Sequence, residues 1–173
     1  MRRKKWFLIS LAVILSCGMC LPQRFVNPVE GADKNSYHPK SFWFFPWGKS
    51  GTHKGVDIFA REGTKLMSAT DGFVLFTGNI KRGGNVVMVL GPKWRVHYYA
   101  HLETINASWF SPVSAGDMIG AVGSTGNAKG KPPHLHYSIT TLIPYPWQID
   151  SSVQGWKKMF YINPIPFLNA VDS

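Results

Sequence analysis

From residue 51 onward, apolar positions come in short bursts closed by turn formers. Gly72-Phe73-Val74-Leu75-Phe76-Thr77-Gly78 is one such burst, with glycine at both ends. Asn85-Val86-Val87-Met88-Val89-Leu90 is a second, rich in β-branched side chains that suit a pleated surface. Gly91-Pro92-Lys93 reads as a turn, and Trp94-Arg95-Val96-His97-Tyr98-Tyr99-Ala100-His101 comes after it as a third burst. Stretches 113–122 and 135–139 add further short strands. No amphipathic run of about 12 residues, the length that marks a helix, interrupts this block. The predicted fold is therefore mostly antiparallel β, with loop-rich segments at both ends.

The flanks lack this rhythm. Residues 21–40 are polar, rich in turn formers and without period, and read as a tether. Phe42-Trp43-Phe44-Phe45-Pro46-Trp47-Gly48 is an aromatic cluster broken by proline and glycine, expected to pack beneath a loop rather than to stand exposed. The tail 141–167 is rich in proline and aromatics and shows no period. At the other end, Arg2-Arg3-Lys4-Lys5 precedes 6–20, which carries no formal charge. A basic start followed by a short apolar stretch is the layout of a secretory signal. As a helix those 15 residues span about 22 Å, short of the roughly 30 Å hydrocarbon core. The organisation expected is a signal peptide over 1–20, a tether over 21–40 and one domain over 41–170. The protein is expected outside the cytoplasmic membrane, in the periplasm or cell envelope.

Composition narrows the partners. The chain has 173 residues, 45% hydrophobic and 16% charged, which is too apolar for a disordered chain and too interrupted for a multi-span membrane protein. Lys and Arg number 19 against 9 Asp and Glu. Without the four cations of the leader the balance is still 15 to 9, and a cationic exported body suits an anionic envelope. Arginine-rich arms and zinc-finger spacings are missing, so nucleic acid is not the partner expected. Both cysteines, Cys17 and Cys20, lie in the leader, which excludes disulfides and thiol catalysis from the body. Ile14-Leu15-Ser16-Cys17 resembles the lipobox of bacterial lipoproteins, with Leu15 departing from the usual small residue. A lipid on Cys17 would hold the chain to a membrane; the plainer reading is two small hydrophobes in an apolar run.

Six histidines carry the chemistry: His38, His53, His97, His101, His134 and His136. His53 and Asp57 are four apart, and His134 and His136 two apart, so each pair meets on one face of an extended strand. A catalytic zinc takes three protein ligands from such residues and leaves one position open. Two neutral imidazoles and one carboxylate leave the centre at formal +1, which polarises a carbonyl at that position. Singly, each histidine is an ordinary strand or surface residue. The motifs among which they stand argue otherwise.

The series His53-Lys54-Gly55-Val56-Asp57, Gly63-Thr64, Ala69-Thr70-Asp71-Gly72, Gly84-Asn85-Val86-Val87, Tyr99-Ala100-His101-Leu102, Gly116-Asp117-Met118-Ile119-Gly120 with Gly123-Ser124-Thr125-Gly126, and His134-Leu135-His136 runs in one order. It resembles the lysostaphin-type (LytM-like) zinc metalloendopeptidases, which cut peptides of bacterial peptidoglycan. The resemblance implies an antiparallel β-sheet groove with one zinc on its floor, held by His53, Asp57 and His136. It implies that His101 and His134 stay off the metal and act on the attacking water and the transition state. Leu135, between two site histidines, would point into the core. Ser138 stands where the family often has Glu, and the loop 127–133, with Lys129 and Lys131, is longer than the common form. Ile162-Asn163-Pro164 resembles the family's closing segment. His97 shares a face with His101 if their strand is regular; it and His38 are read as structural. The alternative class is a non-catalytic wall-binding or hydrolase-regulating module on the same fold. Occupation of all five site positions favours the enzyme.

Overall fold

The computed structural model describes residues 2–171. In chain order its strands are β1 (Val56–Phe59), β2 (Lys65–Met67), β3 (Gly72–Ile80), β4 (Gly84–Gly91), β5 (Arg95–Leu102), β6 (Pro112–Val113), β7 (Met118–Ala121), β8 (His134–Thr141) and β9 (Tyr161–Ile162). The main sheet has the order β1-β8-β5-β4-β3-β6, with β9 paired to β8, and every pairing is antiparallel. A second sheet pairs β2 with β7. The stretch 113–122, expected as strand, is broken because Gly116 turns the chain in the left-handed region (φ 97°). Among the described residues two α-helices lie at the ends, α1 (Arg2–Cys20) and α2 (Ile165–Val171). Among the described residues no helix is long and apolar enough to cross a membrane.

Alternation sets the faces. On β8, Leu135, Tyr137 and Ile139 are fully buried and join Tyr99 of β5, Val87 and Val89 of β4, and Val56 and Ile58 of β1 in one core. Leu66 and Ile119 of the small sheet and Leu168 of α2 complete it. Burying a leucine such as Leu135 contributes about 2 kcal/mol. The expectation that Leu135 points inward is met. Its neighbours His134 and His136 thereby face the other side, where register sets Asp57 opposite His136 and Phe59 opposite His134.

The stretch 21–40 is packed on this body. Val29 and Tyr37 are buried in the core, and Phe25 lies against the rings of Tyr137 and Phe167. Sparse anchors at irregular spacing leave no periodic signal, so the sequence reads as tether. α1 touches the body through its last turns. Trp94 Nε1 donates to the Leu15 carbonyl at 2.9 Å, and Gly18 lies so close to the indole that a Cβ there would overlap the ring.

Candidate metal centre

Three ligand atoms converge on the solvent side of β1 and β8. His53 Nε2 lies 3.1 Å from Asp57 Oδ1 and 3.1 Å from His136 Nδ1, and the last two are 2.8 Å apart. His53 is buried; Asp57 and His136 are partly exposed. Gly55 makes the approach feasible. A Cβ there would lie 2.5 Å from the Tyr137 carbonyl and 3.0 Å from the His136 ring. The glycine of His53-Lys54-Gly55-Val56-Asp57 is thus required by the passage of β8, not by a turn.

Hydrogen bonds fix the His53 tautomer. Its Nδ1–H donates to the Ser41 carbonyl at 3.0 Å, so in the neutral ring Nε2 presents a lone pair. That lone pair faces the Asp57 carboxylate, and two acceptors at 3.1 Å repel unless a cation sits between them. Tetrahedral zinc separates its N and O ligands by about 3.3 Å, close to the gaps seen here. The donor set therefore fits one zinc. Burial works to raise the Asp57 pKa, but the hydrogen bond from His136 Nδ1–H, with the imidazoles of His136 and His53 close by, overcomes it and holds the carboxyl well below the usual range.

His101 and His134 stand beside the trio. The His101 ring centroid is 5.1 Å from that of His134 and 6.1 Å from that of His136. His101 Nδ1–H donates to the Thr125 carbonyl at 2.9 Å and His134 Nδ1–H to the Pro132 carbonyl at 2.8 Å. Each neutral ring thus keeps an Nε2 lone pair free for chemistry. Burial, then the neighbouring His136 and His134, lower the His101 pKa to about 4, so it is unprotonated near neutrality.

β5 is not regular, and that separates His97 from His101. His101 has φ 70°, outside the strand region, which turns its side chain to the site. Such backbone strain in a non-glycine residue is held only by surrounding contacts. Here the His101 amide donates to the Gly83 carbonyl at 2.8 Å, besides the ring's bond to Thr125. His97 points into the protein instead. Its Nδ1 is 2.6 Å from the Tyr137 hydroxyl and its Nε2 accepts from the Gln23 amide at 3.2 Å. Burial and then Arg95 lower its pKa to about 3. His38 lies apart, accepting from the Lys40 amide.

The aromatic cluster divides. Trp43 is buried as expected, but Phe44, Phe45 and Trp47 are exposed. The Trp47 ring lies 4.2 Å from that of His53, tilted by 30°. Sequence reasoning missed this cover, and it missed the three carbonyls that aim the histidines. A carbonyl leaves no trace in composition, since every residue has one; Thr125 at least falls within the motif Gly123-Ser124-Thr125-Gly126.

The fold is that of a lysostaphin-type peptidase domain. The catalytic domain of lysostaphin from Staphylococcus simulans superposes with TM-score 0.60 at 28% identity, covering 78% of this chain and 93% of that one. The chain belongs to peptidase family M23, whose sequence profile matches residues 51–147. It is 39% identical over 85 residues to the DD-carboxypeptidase/endopeptidase Mpg of Neisseria meningitidis, across 49% of this chain and 19% of that protein. It is 32% identical over 111 residues to the murein hydrolase activator NlpD of Salmonella dublin, across 58% of this chain and 29% of that protein. The chain thus spans under a third of the length of these two relatives.

Proposed function

We propose that this protein is an exported zinc metalloendopeptidase that hydrolyses peptide bonds in the cross-links or stems of bacterial peptidoglycan. The observation that carries the reading is the convergence of five groups, three as a ligand set and two as imidazoles with free Nε2 atoms. His53, Asp57 and His136 would hold the metal. Bound there, zinc supplies a Lewis acid for an amide carbonyl and a means of acidifying water. His101 and His134, off the metal, take the proton of the attacking water and return it to the leaving amine. Their Nδ1–H bonds to backbone carbonyls hold both rings in the tautomer this requires. Likeness to an activator raises the second reading, a regulatory module. A regulator has no need of oriented imidazoles, so the full set supports the enzyme.

Export rests on the basic and apolar leader, and Cys17 would add a membrane anchor if lipidated. Fractionation of Cys17→Ser against wild type checks the anchor: it holds if the variant moves to the soluble fraction and fails if both partition alike. For the activity, purified sacculi incubated with the protein gain free amino groups without new reducing ends, and a zinc chelator stops the gain. New reducing ends with unchanged amine would point to a glycan-cutting enzyme.

A further inference from the structure

The loop that carries His53 is clasped from outside the family-matched region, which ends at residue 147. Beyond it, 150–158 folds into a tight loop with its own ties. The anchor of this loop is Asp150, whose carboxylate accepts from the Ser152 amide at 3.0 Å and pairs with Lys158. Gly155 is pressed so close to the Asp150 carbonyl that a Cβ there would overlap it. Gln154 takes φ 58°, a left-handed conformation for a residue with a side chain.

The Gln154 side chain reaches the His53 loop. Its Oε1 accepts from the Thr52 hydroxyl at 3.2 Å, and a Cβ on Gly51 would meet its Nε2 at 2.6 Å. Thr52 is fully buried and directly precedes His53. A second tie comes from Trp43, whose Nε1 donates to the Val153 carbonyl at 3.0 Å. The Trp43 amide in turn donates to the His53 carbonyl at 2.6 Å. His53 is therefore flanked in sequence and in space by residues fastened to 153–154.

We propose that Gln154 is a positioning residue for the metal centre: by holding Thr52 it sets the His53 loop for ligation and so governs how tightly zinc is retained. This rests on the zinc reading above. The physical basis is that partners outside the ligand shell fix the orientation of a metal-binding imidazole, and their loss typically costs about 10- to 100-fold in affinity. Gln154 acts through one intervening residue, which places its effect at the lower end, about tenfold.

The test is zinc competition against a chelator on the full chain, with apo melting recorded beside it. Gln154→Met, similar in size but without an acceptor, weakens zinc about tenfold. Gln154→Glu keeps an acceptor for the Thr52 hydroxyl and restores most of the affinity. Thr52→Val weakens zinc like Gln154→Met, and the double variant is no worse than either alone, because one bond is removed in all three. A loss that follows apo melting and is equal in the Met and Glu variants would reduce Gln154 to a stability role and overturn the proposal. Unchanged affinity in Gln154→Met, or additive losses in the double variant, would do the same. Should the wild-type chain take up no zinc, the metal reading itself falls and the proposal with it. The two failures are thereby distinguished by the wild-type arm alone.

Discussion

The two faces of β5 and β8 make opposite use of histidine. On the inner face His97 has both ring nitrogens within reach of protein partners, Tyr137 and Gln23, and is buried. On the outer face His101 and His134 each have Nδ1 committed to a carbonyl and Nε2 left for chemistry. His97 and His101 are four residues apart on one strand, and a left-handed φ at His101 parts them. The inner imidazole spends both nitrogens on packing, whereas His101 and His134, beside the candidate ligand set, each keep the nitrogen that the proposed reaction needs.

Substitutions on the outer face break this comparison with the largest effects. Asp57→Ala or His136→Ala abolishes amine release from sacculi, since two remaining ligands do not define a catalytic zinc site. His101→Ala or His134→Ala slows the same reaction about 10²- to 10⁴-fold, the usual scale of acid–base help. An inner-face variant acts on stability instead. His97→Ala leaves Gln23 and the Tyr137 hydroxyl short of a buried partner and costs roughly 1–3 kcal/mol in denaturant unfolding. Metal uptake by that variant stays at the wild-type level.

Acid sharpens the contrast by a smaller margin. The His97 pKa falls from 6.5 to about 3 on folding, so the unfolded chain binds more protons between those values. The stability contributed by neutral His97 is complete above 6.5 and is lost as pH falls toward 3. Melting temperatures between about pH 7 and about pH 4 drop in wild type and drop less steeply in His97→Gln.

Much of the molecule is legible in its residues. β3, β4, β5 and β8 stand out because β-branched and aromatic runs are closed by glycine and proline. The five candidate site positions are marked by motifs in a fixed order. The short β9 and the seven-residue α2 carry no period long enough to read. The φ of His101 and the carbonyls of Ser41, Thr125 and Pro132 are set by tertiary contacts, which no local pattern encodes. The exposed side of the aromatic cluster escapes a sequence reading because composition favours burial, whereas Trp43 alone of Trp43, Phe44, Phe45 and Trp47 is buried.

The division between ligands and reagents is tested most directly by metal analysis of two purified variants beside wild type. Wild type and His101→Ala are each expected to hold one zinc per chain, while His136→Ala holds almost none. Loss of zinc with the His101 side chain, or a full complement in His136→Ala, would contradict that division.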